Sequence, residues 1–433
     1  MKTFVLRAIA ALLFAVYVLL SSTFLLFTVL EFVPSLAKQA NLRQIRYYAH
    51  KRRYQPHPTL VFVPSRVGRA SRWDTEFFGD LYSPDYGVPH AGIPYHAAYT
   101  ADGFRENSSS PPFEVMLIGD SYVEIGETDR STLTEQLRLA SGSTTFNLGR
   151  GWYGPFQYLE LFKTYAPRLK PRYAVLCFFD GNDAEDTNQY LRWRKGEDYY
   201  TFVLSSNYMG RYVMAVHDSY RFLVGQIAWF VEDRRRTGSA AAAAGQPRPA
   251  LTQEEARRSD MHPDLGLISL QDQLVPMRFQ YWNQPLTTQH LLESEEWQAI
   301  GRLLQEFQQL AAEHEIIPVA LFIPKKSTVY GTFHSPRSGR NFLQQISEHL
   351  RFENNSREAF LALAKQADVR AVDLLPVFRT LAGEGKVLYY PFDTHWNLLG
   401  RRTAADMLAA SLRQQSQPAM STCNGCNGRS PSQ

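Results

Sequence analysis

The chain has 433 residues, of which 46 are basic, 42 are acidic and 44% are apolar. Together with 26 glycines, this composition is typical of globular proteins and excludes a wholly disordered or fibrous chain. The net charge of +4 is too small and too dispersed to indicate a nucleic-acid partner. Three cysteines exclude a disulfide scaffold. The length fits two to three domains, or one large α/β domain with an insertion.

The N-terminus begins with a long apolar segment. Residues 8–30 carry no charge, and as a helix they would span roughly 35 Å, enough for a bilayer core of about 30 Å. A secretory signal has a shorter apolar region, so residues 1–33 are expected to form an uncleaved transmembrane signal anchor rather than a cleaved peptide. Six Lys and Arg residues between 38 and 53 follow the segment, against Lys2 and Arg7 before it. By the positive-inside rule, this excess favours a cytoplasmic location for the rest of the chain.

Apolar runs and helical spacing define the organisation of the chain. Residues 34–110 are rich in Arg, Tyr and Pro, which indicates a connector that packs on a main domain. Strands are predicted at 113–118, 144–148, 173–179, 316–323 and 369–375. Helices are predicted at 132–140, 155–169, 293–313, 356–367 and 397–412. This alternation predicts one α/β domain, formed by 111–183 and 291–414, with a parallel sheet covered by helices on both faces.

Residues 184–290 interrupt that alternation. They contain an aromatic-rich segment and then 237–249, an Ala-rich stretch with Pro and Gly that is typical of disorder. Two interpretations are open, an inserted lid over a site and a surface insertion with no role in the chemistry. The polar residues 415–433 are expected to form a disordered tail. Cys423 and Cys426 lie in that tail without a second pair, so no metal site is predicted.

A candidate nucleophile follows the first predicted strand, in Gly119-Asp120-Ser121. Glycine permits a sharp turn, and the serine then lies at the carboxyl end of a strand, where open α/β sheets bind their ligands. A serine hydroxyl acts as a nucleophile when a base takes its proton and a carboxylate orients that base. Taken alone, the tripeptide favours an ordinary helix N-cap.

A candidate base precedes the last predicted helix, in Asp393-Thr394-His395-Trp396. Asp393 can hold the His395 imidazole in one tautomer while the other ring nitrogen faces a hydroxyl. A capping aspartate beside a partly buried histidine is the alternative interpretation.

Two further loops follow predicted strands. Asn182, in Gly181-Asn182-Asp183, has an amide that can donate to a developing oxyanion. The loop 147–155 contains three glycines, which permit backbone N–H groups to turn toward a ligand. Taken alone, either loop is also explained as an ordinary turn, because Gly and Asn are common in turns. All of these segments would meet at one edge of the sheet, and that joint placement favours a catalytic site.

Together these motifs resemble the SGNH or GDSL hydrolase superfamily over residues 113–183 and 291–412. The resemblance implies a flavodoxin-like three-layer α/β domain. It also implies that Ser121 is the nucleophile, that His395 is the general base and that Asp393 is its partner. No cofactor and no metal are expected.

The resemblance also implies an oxyanion hole, formed by the Asn182 amide, the Ser121 N–H and backbone N–H groups of Gly151 and Trp152. Two departures from the family pattern stand out. The common spacing is Asp-x-x-His, whereas here one residue separates Asp393 from His395. Trp152 occupies the position usually held by a glycine, which implies a narrower or reshaped pocket.

The Asp-x-His-Trp variant is similar to a subset that includes alginate O-acetyltransferases and related membrane-anchored proteins. Lys326 and Tyr330, after Pro324, match a Pro-x-Lys and Tyr feature of that subset and are expected to contact substrate. A solvated strand-end lysine is the alternative for Lys326. Arg150 is expected either to bind an anionic sugar or to be a surface arginine.

The sequence therefore predicts a serine esterase that acts on acyl esters, in particular acetyl esters of cell-surface or exported polysaccharide, through an acyl-serine intermediate. Two alternatives remain. The first is a polysaccharide O-acetyltransferase that uses the same triad and takes its acyl group from a membrane acyl-carrier partner. The second is a catalytically silent polysaccharide-binding scaffold. The resemblance implies a single-pass inner-membrane protein with a periplasmic catalytic domain, although the Lys and Arg residues that follow the apolar segment favour a cytoplasmic one.

Overall fold

The computed structural model describes residues 2–32, 54–64, 71–77, 93–106, 108–197, 264–271, 273–391 and 393–416. The predicted disordered stretch 237–249 and residues 417–433, with Cys423 and Cys426, lie outside the described residues. So does most of the predicted connector 34–110.

The described helices and strands follow in chain order. The helices are α1 (Lys2–Phe32), α2 (Ser121–Glu124), α3 (Leu133–Ser141), α4 (Pro155–Leu169), α5 (Asp183–Arg194), α6 (Thr288–Glu293), α7 (Glu295–Glu313), α8 (Lys326–Tyr330), α9 (Arg340–Arg351), α10 (Asn355–Gln366), α11 (Leu375–Gly383) and α12 (Leu398–Ser416). The strands are β1 (Tyr54–His57), β2 (Val61–Pro64), β3 (Ser71–Phe77), β4 (Ile93–Tyr99), β5 (Val115–Gly119), β6 (Thr145–Gly149), β7 (Tyr173–Phe179), β8 (Leu265–Leu270), β9 (Gln273–Arg278), β10 (Ile317–Ile323) and β11 (Arg370–Asp373).

The predicted transmembrane anchor is not supported. Of the helices within the described ranges, none combines the length and the apolarity that crossing a membrane requires.

Five parallel strands form the central sheet in the order β6-β5-β7-β10-β11. Numbered by chain order within this sheet, the order is 2-1-3-4-5, which is that of flavodoxin-like doubly wound folds. The predicted α/β fold with a parallel sheet is therefore confirmed. The order reverses between β5 and β7, and such a switch point leaves a crevice at the carboxyl ends of the strands.

Alternate residues of each central strand enter two separate hydrophobic cores. In β7, Val175 and Cys177 pack in the core that includes α3 and α12, whereas Leu176 and Phe178 pack in the core that includes α4 and α7. Side chains alternate between the faces of a strand, so a strand with helices on both faces is apolar throughout. All seven residues of β7 are buried, which explains why its apolar run was visible in the sequence.

Part of the segment predicted as an insertion packs against the main domain. Strands β8 and β9 form an antiparallel hairpin, and Ile268 and Met277 lie in the same core as the residues of α9 and α11. A Cβ added at Gly266 would lie 2.1 Å from the Phe342 ring, so the hairpin approaches α9 as closely as a glycine allows. This hairpin carries Tyr281, just beyond β9, to the edge of the sheet where the site lies.

Candidate active site

The nucleophile candidate lies at the switch point of the sheet. Ser121 begins α2 directly after β5, and Asp120 caps that helix by accepting the backbone N–H of Tyr122 at 2.8 Å. The capping interpretation is therefore confirmed for Asp120, and it is compatible with Ser121 as a nucleophile, because the cap leaves Ser121 at the first helical position. A Cβ at Gly119 would lie 2.6 Å from Val123 Cγ2, so a glycine is required for this tight turn.

The structure brings Ser121, His395 and Asp393 together. His395 Nε2 lies 2.8 Å from Ser121 Oγ, and His395 Nδ1 lies 2.5 Å from Asp393 Oδ1. The same carboxylate oxygen also accepts the His395 backbone N–H at 2.8 Å. One aspartate oxygen thus holds both the backbone and the ring of the histidine, which explains how a spacing of one intervening residue still produces triad geometry.

The charges of the pair reinforce each other. Burial favours a neutral Asp393, but the charge of His395 and hydrogen bonds from it outweigh burial and lower the pKa of the carboxyl below its ordinary 3.8. Burial likewise disfavours a charged His395, but the Asp393 carboxylate raises the imidazole pKa above its ordinary 6.5. The pair therefore favours an imidazolium, which is the state a general base reaches after it accepts the serine proton.

Tyr122 packs against His395. Its ring stacks on Phe179 with centroids 4.0 Å apart and lies 5.1 Å from the His395 ring. Its hydroxyl donates to the Thr394 carbonyl at 2.6 Å. This residue thus connects the nucleophile helix to the loop that carries the base.

Lys326 anchors the same loop from within the protein. Its Nζ donates to the carbonyl oxygens of Tyr390 at 2.6 Å, Pro391 at 3.0 Å and Asp393 at 2.5 Å. It also donates to the carbonyl of Arg278, at the end of β9, at 3.0 Å. The side chain is buried, so we correct its predicted role from substrate contact to support of the loop that carries Asp393 and His395.

Two other predicted substrate contacts also lie inside the protein. Tyr330 is fully buried, donates to the Lys386 carbonyl at 3.0 Å and accepts the Leu388 N–H at 2.7 Å. Arg150 is 1% exposed and its guanidinium bonds to the Gly103 carbonyl and to Glu124, with Nη1 and Oε1 3.4 Å apart. We therefore correct both predictions, because both polar groups are buried and bonded within the protein. The burial of Arg150 also excludes the alternative of a surface arginine.

The loop after β6 is held by Glu124 of α2. Gly151, predicted to donate to the oxyanion, directs its N–H to Glu124 Oε2 at 2.6 Å, so in this conformation that donor is engaged elsewhere. The next residue, Trp152, has a φ of +74°. Such a left-handed backbone costs a non-glycine residue of the order of 1–3 kcal/mol and is typical of functional sites. The conformation matches the expectation that this position is usually a glycine.

Asn182 lies at the end of β7, as predicted, across the switch point from Ser121. Its Nδ2 donates to Asp186 Oδ2 at 2.7 Å, which leaves its second amide hydrogen for another acceptor. Asp186 also packs against the loop after β6, because a Cβ at Gly154 would lie 2.6 Å from Asp186 Cβ. Asp186 thus contacts both Asn182 and the loop after β6, which contains Trp152. The sequence signal for this contact was the four-residue spacing, which puts Asp186 one helical turn from Asn182, the N-cap of α5.

We expect Asp186→Ala to lower kcat by about 10-fold with little change in KM. Its loss would release the Asn182 amide, and removal of an oxyanion donor itself typically costs 10²–10³-fold in kcat. Asp186→Asn retains an acceptor for the amide and should restore most of the rate. Exposed Glu185 gives the matched control, Glu185→Ala, which should be neutral. Steady-state kinetics on an acetyl ester tests this, and an equal loss in the Ala and Asn variants would contradict it.

Several carboxyl groups surround the site in addition to the triad. Burial raises the pKa of Asp120 to about 6. Burial also raises the pKa values of Asp183 and Asp186 well above the ordinary value. Asp183 is held by the Tyr158 hydroxyl at 3.0 Å and the Phe179 N–H at 2.9 Å. No group of three or more side chains suited to a metal ion occurs among the residues described.

Tyr281 was not found from the sequence because it lies in the segment assigned to an insertion. Its ring contacts Phe179 edge-on, with centroids 5.5 Å apart. A Cβ at Gly181 would lie 3.0 Å from the same ring. Tyr281 therefore packs on the segment that leads from β7 to Asn182.

The fold and the site together define an α/β protein with a Ser-His-Asp triad at its switch point, a class of hydrolases and O-acyltransferases. Within that class, residues 282–425 match the family model described as SGNH hydrolase-like domain, acetyltransferase AlgX. The match covers about a third of the chain and confirms the resemblance there. It includes Asp393 and His395, whereas Ser121 and Asn182 lie before it.

Solved structures also show a likeness. Acetyl xylan esterase AlAXEase is 11% identical, with 69% of this chain and 98% of that chain covered and a TM-score of 0.33. A GDSL-like lipase from Bacteroides thetaiotaomicron VPI-5482 is 10% identical, with 72% and 90% covered and a TM-score of 0.30. No curated protein matched the chain.

Proposed function

We propose that this protein is a serine esterase of the SGNH type that cleaves acetyl esters of a polysaccharide through an acetyl-serine intermediate. The observation that carries the proposal is the continuous hydrogen-bonded series from Ser121 Oγ through the His395 ring to Asp393, at 2.8 and 2.5 Å. A silent scaffold has no need of this alignment. The match to a family of acetyltransferases supports an acetyl group as the one transferred.

The reaction has two half-reactions. Ser121 Oγ attacks the ester carbonyl carbon while His395 Nε2 takes the hydroxyl proton, and the carbonyl oxygen becomes an oxyanion. The Ser121 N–H and the second Asn182 amide hydrogen are the donors proposed for that oxyanion. Collapse of the intermediate breaks the bond to the sugar oxygen, which takes the proton from His395 and departs as a hydroxyl, and an acetyl ester remains on Ser121.

The second half-reaction depends on the acceptor. Water, activated by His395, would release acetate and restore Ser121. A sugar hydroxyl in the same position would give an acetylated sugar, which is the O-acetyltransferase alternative that the family match favours. Transfer requires an acetyl donor, and the resemblance assigns that role to a membrane acyl-carrier partner.

Intact-mass analysis tests the first half-reaction. The full chain, exposed briefly to p-nitrophenyl acetate, should gain one acetyl group and release p-nitrophenol, and Ser121→Ala should do neither. Equal labelling of both proteins would contradict the proposal. Analysis of the products distinguishes hydrolysis from transfer, since free acetate indicates hydrolysis and an acetylated oligosaccharide indicates transfer.

We also propose an extracytoplasmic location, which the resemblance implies. Alkaline phosphatase fused to the C-terminus should be active, because this reporter requires export. A fusion that is inactive, while a cytoplasmic reporter at the same position is active, would contradict this location.

A further inference from the structure

The segment after β9 brings a tyrosine to the crevice that holds the triad. The Tyr281 ring packs edge-on against Phe179, with centroids 5.5 Å apart, and a Cβ added at Gly181 would lie 3.0 Å from the same ring. The Ser327 hydroxyl donates to the Tyr281 carbonyl at 2.7 Å and so fixes the backbone there. Tyr281 is therefore held at the end of β7, against the residue that precedes Asn182.

The Tyr281 hydroxyl has an unused capacity to donate a hydrogen bond. It is bonded to none of the residues that the structure describes, and it is not sealed from solvent. A substrate can therefore reach it. Burial raises the pKa of this hydroxyl above its ordinary 10.0, and carboxyl groups of the site, Asp393 among them, raise it further when they are ionised. The hydroxyl thus keeps its proton at any pH at which His395 acts as a base.

Tyr281 lies over the same face of the sheet as the catalytic base. Phe179 and Tyr122 belong to the core that includes α3 and α12, and Tyr281 packs against that core. The Tyr122 ring stacks on Phe179 and lies 5.1 Å from the His395 ring. Tyr281 and His395 therefore flank the same pair of aromatic rings at the carboxyl edge of the sheet.

The groups proposed to bind the oxyanion lie toward the other face. Asn182 is the N-cap residue of α5, and Tyr190 of that helix belongs to the core that includes α4 and α7. The loop after β6 leads into α4 through Tyr153, which belongs to the same core. An ester with its carbonyl oxygen toward these groups directs its alcohol oxygen toward His395, which returns the proton to that oxygen. Tyr281 is then on the alcohol side of the ester.

We propose that the Tyr281 hydroxyl donates a hydrogen bond to the alcohol oxygen of the ester, which in the proposed substrate is a sugar oxygen. The proposal deepens the proposed function and rests on it for the acetyl-serine reaction. As the bond between the acetyl carbon and the sugar oxygen breaks, negative charge develops on that oxygen and His395 Nε2 delivers a proton to it. Tyr281 keeps its own proton and stabilises the developing charge. This contact matters most when the departing alcohol is a weak acid, as a sugar hydroxyl is.

Two aryl acetates of similar shape test the proposal in the full chain. Phenol is a weaker acid than p-nitrophenol, so the departing oxygen of phenyl acetate needs more stabilisation than that of p-nitrophenyl acetate. Tyr281→Phe keeps the ring that packs on Phe179 and removes the hydroxyl alone. We expect it to lower kcat/KM about 10-fold for phenyl acetate and less than about 2-fold for p-nitrophenyl acetate, because hydrogen bonds to charged oxygens are the strong ones.

Tyr173→Phe is the matched control. It removes another tyrosine hydroxyl, which bonds to the Leu412 carbonyl at 3.3 Å, from the opposite end of β7. Both kcat/KM values should be unchanged in this control. An equal loss on the two esters in Tyr281→Phe would assign the hydroxyl a structural role, and no loss on either would show that it does not contact the alcohol oxygen. Each of these results would overturn the proposal. Failure of the proposed function is a separate result, the absence of acetyl transfer to Ser121 in the wild-type chain.

Discussion

Ser121→Ala and His395→Ala are each expected to lower kcat by about 10⁶-fold, and the double variant should lose no more than either one. The losses are not additive because the hydroxyl and the imidazole, 2.8 Å apart, perform one step together. Asp393→Asn should cost about 10⁴-fold, since the serine and the base remain but the imidazole loses its preferred tautomer and the charge that stabilises its protonated form.

The pH profile gives an independent check on the same three residues. His395 must be neutral to accept a proton, so kcat/KM should fall as pH decreases through its pKa. Because the Asp393 carboxylate raises that pKa, the acid limb of wild type should lie above pH 6.5. In Asp393→Asn that raising charge is absent, so the limb should move to lower pH.

Turnover of p-nitrophenyl acetate measures both effects, with His290→Ala as a control because His290 lies exposed on α6. Losses that add in the double variant would contradict the shared step. If the acid limb of the pH profile does not move in Asp393→Asn, the assigned pairing of Asp393 with His395 is contradicted.

The fold was predictable where burial is continuous along a segment. Strand β7 and helix α4 agree with the predicted 173–179 and 155–169 to the residue. β7 is apolar along its whole length, and Pro155 fixes the start of α4. The β8–β9 hairpin was not recognised, although five of the six residues of β8 are buried, because it lies within the segment 184–290 that was assigned as a whole to an insertion. Its place in the core depends on contacts with α9 that are distant in the chain.

The residues of the site were likewise predictable in part. Ser121, Asn182 and His395 follow from loops at strand and helix ends, where topology alone brings them together. Arg150, Lys326 and Tyr330 were assigned to substrate from residue type, but the direction of a polar head group depends on the carbonyls and carboxylates that surround it. A sequence pattern does not contain that information, and neither does it reveal the contact of Tyr281 with Phe179.

Lys326→Met is expected to lower the free energy of unfolding by about 3 kcal/mol, because a buried hydrogen-bond acceptor left unsatisfied costs of the order of 1–3 kcal/mol and several are affected. Methionine preserves most of the apolar stem, but it leaves the carbonyls of Tyr390, Pro391 and Asp393 without their shared donor. Freeing the segment that carries the catalytic base should also lower kcat/KM by about 10²-fold, since a displacement of 1 Å has that effect. Urea unfolding and turnover of p-nitrophenyl acetate measure the two quantities.

Lys163→Met, which removes an exposed pairing with Glu160 and Glu306, should change stability by less than about 1 kcal/mol. If Lys326→Met proves as mild as this control, the ammonium does not hold the loop, and the short Asp-x-His turn must be stable without it.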